Sequence, residues 1–162
     1  MINRVIGEMI AYFKEDVRRI NHALKVYGFA AAISGMEGIF EREGMVTGLA
    51  AVLHDIGIKE AERKYGSAAG KYQEIEGPSI TRPILEISGI ESNIIDRVCF
   101  LIGNHHSYHK IDGLDFQILV EADFLVNIFE DNMERHAIES IGKKYFKTGY
   151  GMKLLDLMYL SL

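Results

Sequence analysis

The sequence predicts an all-α fold, a single compact helical domain, and three observations carry that expectation. Apolar residues recur at helical spacing along nearly the whole chain, and clear period-2 alternation is hard to find. Only two prolines occur in 162 residues, and no Pro/Ser-rich or Gly/Ser-rich run marks a linker. A length of 162 residues fits one domain at roughly 150 residues per domain, and a hydrophobic fraction of 48% supplies its core. Residues 1–162 are therefore read as one domain, with its core at about 18–150.

The elements follow in order. Val5, Met9, Ile10 and Phe13 make the stripe of a first helix. Asp16 opens a second, in which Val17, Ile20, Leu24 and Tyr27 share a face and which runs on through 30–33 toward the glycines of 34–38. Helix 43–56, rich in Ala and Leu, ends at Gly57, and a short helix over 58–65 closes at Gly66 as a glycine C-cap. Gly77-Pro78-Ser79 reads as a helix start, with proline at an early position where its missing N–H costs little. That helix continues to about 88–89, bent at Pro83. Glu91-Ser92 opens another through Leu101 to His105, and 114–129 carries Phe116, Leu119, Val120, Phe124 and Ile128. Segments 134–146 and 151–160 complete a count of seven to nine helices.

Composition bounds compartment and partners. Arg4, Glu8 and Lys14 fall too close together for a signal-peptide core, and no apolar stretch approaches the ~20 residues that span a bilayer. The single cysteine, Cys99, lies in an apolar run and reads as a buried small hydrophobe. A soluble, cytoplasmic protein without a membrane partner is expected. The net charge of −5 argues against a nucleic-acid partner, which requires a basic surface. A small anionic substrate stays compatible with it, because a metal site supplies positive charge locally. Segment 152–162 is apolar enough to pack on its own core or on a second copy, so a homo-oligomer is a further expectation.

Three clusters of histidine and carboxylate could carry chemistry. His54-Asp55 ends an apolar helix just before Gly57. Adjacent helical residues diverge by about 100°, so both side chains reach one centre most easily where the helix stops. The two oxygens of Asp55 could bridge two metals while His54 holds one. A helix-capping histidine beside a turn carboxylate is the plain alternative. His22 lies among Val17, Ile20, Leu24 and Val26, where a locally bonded histidine competes with a ligand. Asp123 sits between apolar residues at core spacing and needs a cation, from a metal or a buried arginine. Asn104-His105-His106 again terminates a hydrophobic helix, and one of its two histidines could serve substrate. His109 and His136, in polar surroundings, receive no role.

The ordered set His22, His54-Asp55, His105-His106 and Asp123 resembles the HD-domain superfamily of metal-dependent phosphohydrolases. The resemblance spans about residues 18 to 150, including the tail Phe146-Lys147-Thr148-Gly149. It implies a helical domain of the HD type, with His22, His54, Asp55 and Asp123 as ligands of a primary metal. A narrower similarity points to the dinuclear branch that includes symmetrical diadenosine tetraphosphate hydrolases. There a His-Gly-Pro turn supplies a second-metal ligand, and the matching segment here is Glu76-Gly77-Pro78. A second site of Asp55, Glu76, His105 and His106 is thus one expectation. A mononuclear enzyme, with Glu76 as a base near the metal or a helix-start carboxylate, is the other.

The reaction implied is hydrolysis of a phosphoric ester or anhydride by a metal-activated water. The substrate class is a small phosphorylated metabolite, a nucleotide above all. Mixed His and carboxylate donors suit one or two ions of Mn²⁺, Fe²⁺, Co²⁺, Ni²⁺ or Zn²⁺, with Mg²⁺ also admissible. Catalytic roles fall to Asp55, with Glu76 or His106 passing protons to the leaving group. Lys59 and Arg82 are candidate phosphate neutralisers, against the alternative of solvated surface charges. Competing functions are a non-catalytic nucleotide-binding module, a di-iron oxygenase on the same fold, and a helical interaction protein.

Overall fold

A computed structural model describes residues 1–161, with no strand among them. Its α-helices run α1 (Ile2–Phe13), α2 (Val17–Met36), α3 (Glu41–Leu53), α4 (Ile58–Tyr65), α5 (Gly70–Ile87), α6 (Ser92–Ile102), α7 (Leu114–Glu130), α8 (Arg135–Tyr145) and α9 (Gly149–Leu155). A 3-10 turn, Tyr108–Lys110, precedes α7, and a π-helical turn, Asp156–Leu160, follows α9.

Local chemistry accounts for most boundaries. Asp16 caps α2 by accepting the Arg19 backbone N–H at 3.3 Å. Glu41 and Glu43 sit in the first turn of α3, where carboxylates complement the helix dipole. Gly66, at φ +63°, ends α4 in the left-handed conformation that glycine adopts without Cβ strain. The α1 stripe buries Val5, Met9 and Phe13, whereas Ile10 is left on the surface.

Helices α3 and α6 stop three residues short of their expected ends, at Leu53 and Ile102, and the fifth helix departs furthest from expectation. The fifth helix starts at Gly70, not at Gly77-Pro78-Ser79, and holds both prolines in its interior. An interior proline costs about 3 kcal/mol through a lost N–H and a ring clash. Tertiary packing overrides that cost here. Gln73, Glu76, Gly77, Thr81 and Leu85 are buried, and α5 lies against α4 on one side and α6 on the other. The Cys99 thiol, buried as expected, donates to the Pro78 carbonyl at 3.7 Å.

The core centres on α3, which buries every residue from Val46 to Leu53 and packs on α2, α6 and α7. One continuous apolar cluster extends from Val5 in α1 to Leu155 in α9. The apolar tail packs partly on that core: Leu155 is buried and the Tyr159 hydroxyl donates to the Leu125 carbonyl at 2.7 Å, while Leu157 stays exposed. Leu162, the end of the tail named above, lies outside the described residues. Among the described residues no helix is long and apolar enough to cross a membrane.

Candidate metal centre

Two helix ends are built to the same plan. α3 stops at Leu53, and His54 and Asp55 occupy the following turn. α6 stops at Ile102, and His105 and His106 occupy the turn after it. In each turn the first histidine pairs its Nδ1 with the carbonyl three residues back, His54 with Ala51 at 2.9 Å and His105 with Ile102 at 2.8 Å. That bond fixes a tautomer with the proton on Nδ1 and aims Nε2 inward.

Glycines let both turns rest on α5. A Cβ on Gly57 would lie 2.5 Å from the Gln73 carbonyl oxygen and 2.7 Å from the Gly77 backbone nitrogen. A Cβ on Gly103 would meet the Pro78 ring at 3.1 Å. The Gly-Pro pair at 77–78 therefore marks where α5 touches both turns, not where it begins.

His22 on α2, His54 after α3 and Asp123 on α7 form one group of donors, and Asp55, His105 and His106 form a second. The atoms within each group lie inside 4.8 Å of one another. His22 Nε2 stands 3.2 Å from both His54 Nε2 and Asp123 Oδ1. Asp55 faces both groups. Its Oδ2 lies 3.6 Å from His22 Nε2 and 3.5 Å from His54 Nε2, and its Oδ1 lies 3.5 Å from His105 Nε2. One carboxylate thus offers one oxygen to each side.

The electrostatics are those of a cation site. Burial alone would raise the Asp55 and Asp123 pKa values, but the facing histidines outweigh it and hold both well below the usual carboxylate range. Burial opposes charge on His54 as well, yet Asp55 and Asp123 push it up to about 9, and His22 is raised in the same way. His106 goes the other way. Burial, then the neighbouring His105, lowers it to about 4, so its ring is neutral at pH 7, as a ligand must be.

The donor set fits a divalent metal pair. His105 Nε2 and His106 Nε2 are buried without a hydrogen-bond partner among the described residues, a costly state that coordination relieves. His22, His54 and Asp123 would hold one ion, His105 and His106 the other, with Asp55 between them. Four imidazoles and two carboxylates suit transition ions better than a pure oxygen cage does.

Glu76, Lys59 and Arg82 are not brought into these groups. The Glu76 carboxylate accepts from Lys64 Nζ at 2.6 Å and the Tyr65 hydroxyl at 2.9 Å, and Lys64 holds it below its ordinary pKa. His106 stands with Asp55 and His105 where the Glu-Gly-Pro comparison had placed Glu76. The Lys59 ammonium donates to the Tyr12 carbonyl at 3.3 Å and lies over the Tyr12 ring. Arg82 pairs with Asp96 at 2.7 Å. Two clefts reach the centre, one of about 520 Å³ past His22 and Asp55 and one of about 650 Å³ past His106, and none of the three lines either.

Several supporting residues escape the sequence reading. Glu130 Oε2 lies 2.9 Å from His22 Nδ1 while its other oxygen pairs with Lys25. Asn127 donates to Asp123 Oδ1 at 2.9 Å. Both follow Asp123 at helical spacing, four and seven residues on, so periodicity applied outward from Asp123 finds them. Glu74 accepts the His106 backbone N–H at 3.0 Å, and Gly70 makes room for the His106 ring, which a Cβ there would approach to 2.6 Å. Nothing in the linear string signals those two contacts.

The architecture, an all-α domain with its histidine–aspartate pair closing the central helix, is the HD-domain fold. The chain is similar to the crystal structure of a predicted HD superfamily hydrolase from an uncultured Thermotogales bacterium. The TM-score is 0.69 over 97% of this chain and 84% of that one, at 23% identity. At that identity the likeness establishes the fold, and the chemistry rests on the residues. No protein-family model matches the sequence, and no curated protein does.

Proposed function

We propose that this chain is an HD-superfamily metal-dependent phosphohydrolase acting on a small phosphate ester or anhydride, a nucleotide above all, at a dinuclear His/Asp centre. The observation that carries the reading is Asp55, with one oxygen toward the His22–His54–Asp123 group and the other toward His105 and His106. A divalent pair held there would supply an activated water and positive charge toward the phosphoryl oxygens. The chain's own part is orientation. Glu130 fixes the His22 ring, the Ala51 and Ile102 carbonyls fix His54 and His105, and Glu74 holds the His106 backbone. With Lys64 and Tyr65 occupying Glu76, and with His106 among the metal donors, neither is assigned the acid role.

The test is a metal-by-substrate hydrolysis screen of the purified chain beside its Asp55→Ala and Asp55→Asn variants. Turnover of a phosphate ester or anhydride, lost by more than about a hundredfold in both variants, is the expected result. Full activity in either variant with metal supplied refutes the assignment.

A further inference from the structure

The two clefts that reach the centre differ in charge. The one past His22 and Asp55 carries five carboxylates, Asp55 among them, against Arg18 and Arg19. Arg19 is already committed to Asp16 at 2.9 Å and Glu62 at 2.6 Å. Bound metal apart, the charge along that route is net negative, and Arg18 is the cation there without an ion pair among the described residues. The cleft past His106 has no carboxylate among its lining residues and presents Lys144 and Lys147. Neither lysine makes an ion pair among the described residues; Lys147 Nζ reaches only the Lys143 carbonyl, at 3.5 Å.

The same cleft has an aromatic wall. Tyr108 and Tyr145 line it with ring centroids 4.6 Å apart, and Phe124 stacks behind Tyr145 at 5.2 Å and 15°. Its volume of about 650 Å³ is that of a small-molecule site. A flat heteroaromatic ring gains stacking energy on such a wall, and lysine ammonium groups meet phosphate as point charges.

The lysine-bearing segment is anchored to the helix that carries Asp123. Glu121 on α7 is fully buried, and its Oε1 accepts the backbone N–H of Lys147 at 2.6 Å and of Thr148 at 2.9 Å. Its other oxygen accepts the Thr148 hydroxyl. Gln117 Nε2 ties the same carboxylate to the Tyr145 carbonyl, at 2.7 Å and 2.6 Å. A buried carboxylate satisfied by backbone donors in this way fixes the Tyr145–Lys147 segment relative to the donor groups.

From these placements we infer that the cleft between His106 and Lys147 is the substrate subsite, taking a nucleotide with its ring against Tyr108 and Tyr145 and its phosphate charge met by Lys144 and Lys147. The inference rests on the phosphohydrolase reading for where the reacting phosphorus lies. It replaces Lys59 and Arg82 as phosphate-binding residues.

The test is calorimetric binding of AMP and of ribose 5-phosphate, which lacks the base, to the full Mn²⁺-loaded chain, with kinetics on any nucleotide found to turn over. The Lys144→Ala/Lys147→Ala double variant is expected to weaken both ligands by about tenfold or more. Tyr108→Leu is expected to weaken AMP by about tenfold and leave ribose 5-phosphate unchanged. Arg18→Ala in the acidic cleft is expected to change neither. Circular dichroism of each variant separates loss of fold from loss of a contact. AMP affinity unchanged in the double variant, or absent from the parent chain, overturns the subsite. Turnover with a KM insensitive to both lysines leaves the hydrolase reading standing and removes this one. The expected binding pattern without any turnover does the reverse.

Discussion

Removing Glu130 tests whether the first donor group depends on support from outside it. Glu130 Oε2 accepts from His22 Nδ1 at 2.9 Å, and its Oε1 is shared with Lys25, whose side chain is 46% exposed. A hydrogen bond to a charged group contributes about 1.5–3 kcal/mol. The Glu130 side chain is 15% exposed, so water replaces part of the lost contact and the lower half of that range applies. Glu130→Ala is therefore expected to weaken the ion held by His22, His54 and Asp123 by about 10- to 50-fold, with little change in Tm. Glu130→Gln, which keeps an acceptor, should lose less, and Lys25→Ala less than about threefold. Competition against a chromogenic chelator reads the affinity. A Glu130→Ala variant that binds metal within twofold of the parent would refute the argument that this carboxylate orients His22.

Three further outcomes follow from the geometry. Gly57→Ala places a methyl 2.5 Å from one backbone atom of α5 and 2.7 Å from another, neither of which can rotate away. A loss of about 3 kcal/mol or more by denaturant titration, together with loss of metal, is expected, and a Tm unchanged within error would contradict the close packing. Gly70→Ala meets the His106 side chain from its root outward, at 3.1 Å from Cβ and 2.6 and 2.7 Å from two ring atoms, so the ring must shift. A loss of about 1–3 kcal/mol is expected, with the ion at Asp55, His105 and His106 weakened more than the other; equal weakening of both ions would count against separate groups. Because Asp55 and Asp123 raise His54 to about 9, its proton competes with metal throughout the neutral range. Metal affinity should rise with pH and level off above about 9, and titration at pH 7 in buffers of different ionisation enthalpy should show about one proton or more released with the first ion. No release at pH 7 would contradict the protonated His54.

Much of this was readable in the chain because it is local. The α3 helix is apolar to its last residue and stops before Gly57, so His54 and Asp55 announce themselves as two donors at a buried helix end. Asp123 is legible as a carboxylate at core spacing, and Gly66 as a cap. The errors lie where long-range contact overrides a local rule. Pro78 has the signature of a helix start, but α4 and α6 hold the preceding turns helical, and Glu76 is thereby turned toward Lys64 and Tyr65. His106 gains its place only because Gly70 and Glu74, more than thirty residues away, make room for its ring and hold its backbone. Lys144 and Lys147 are exposed, and nothing in the string signals that Glu121 on α7 anchors the backbone of their segment.

The most direct test is the number of ions the purified chain holds. Metal analysis by mass spectrometry, after loading with Mn²⁺ and desalting, should give two per chain in the parent. His105→Ala should give one, and Asp55→Ala fewer than one, since that carboxylate faces both groups. One ion or none in the parent, or two ions retained after Asp55→Ala, would contradict the bridged centre.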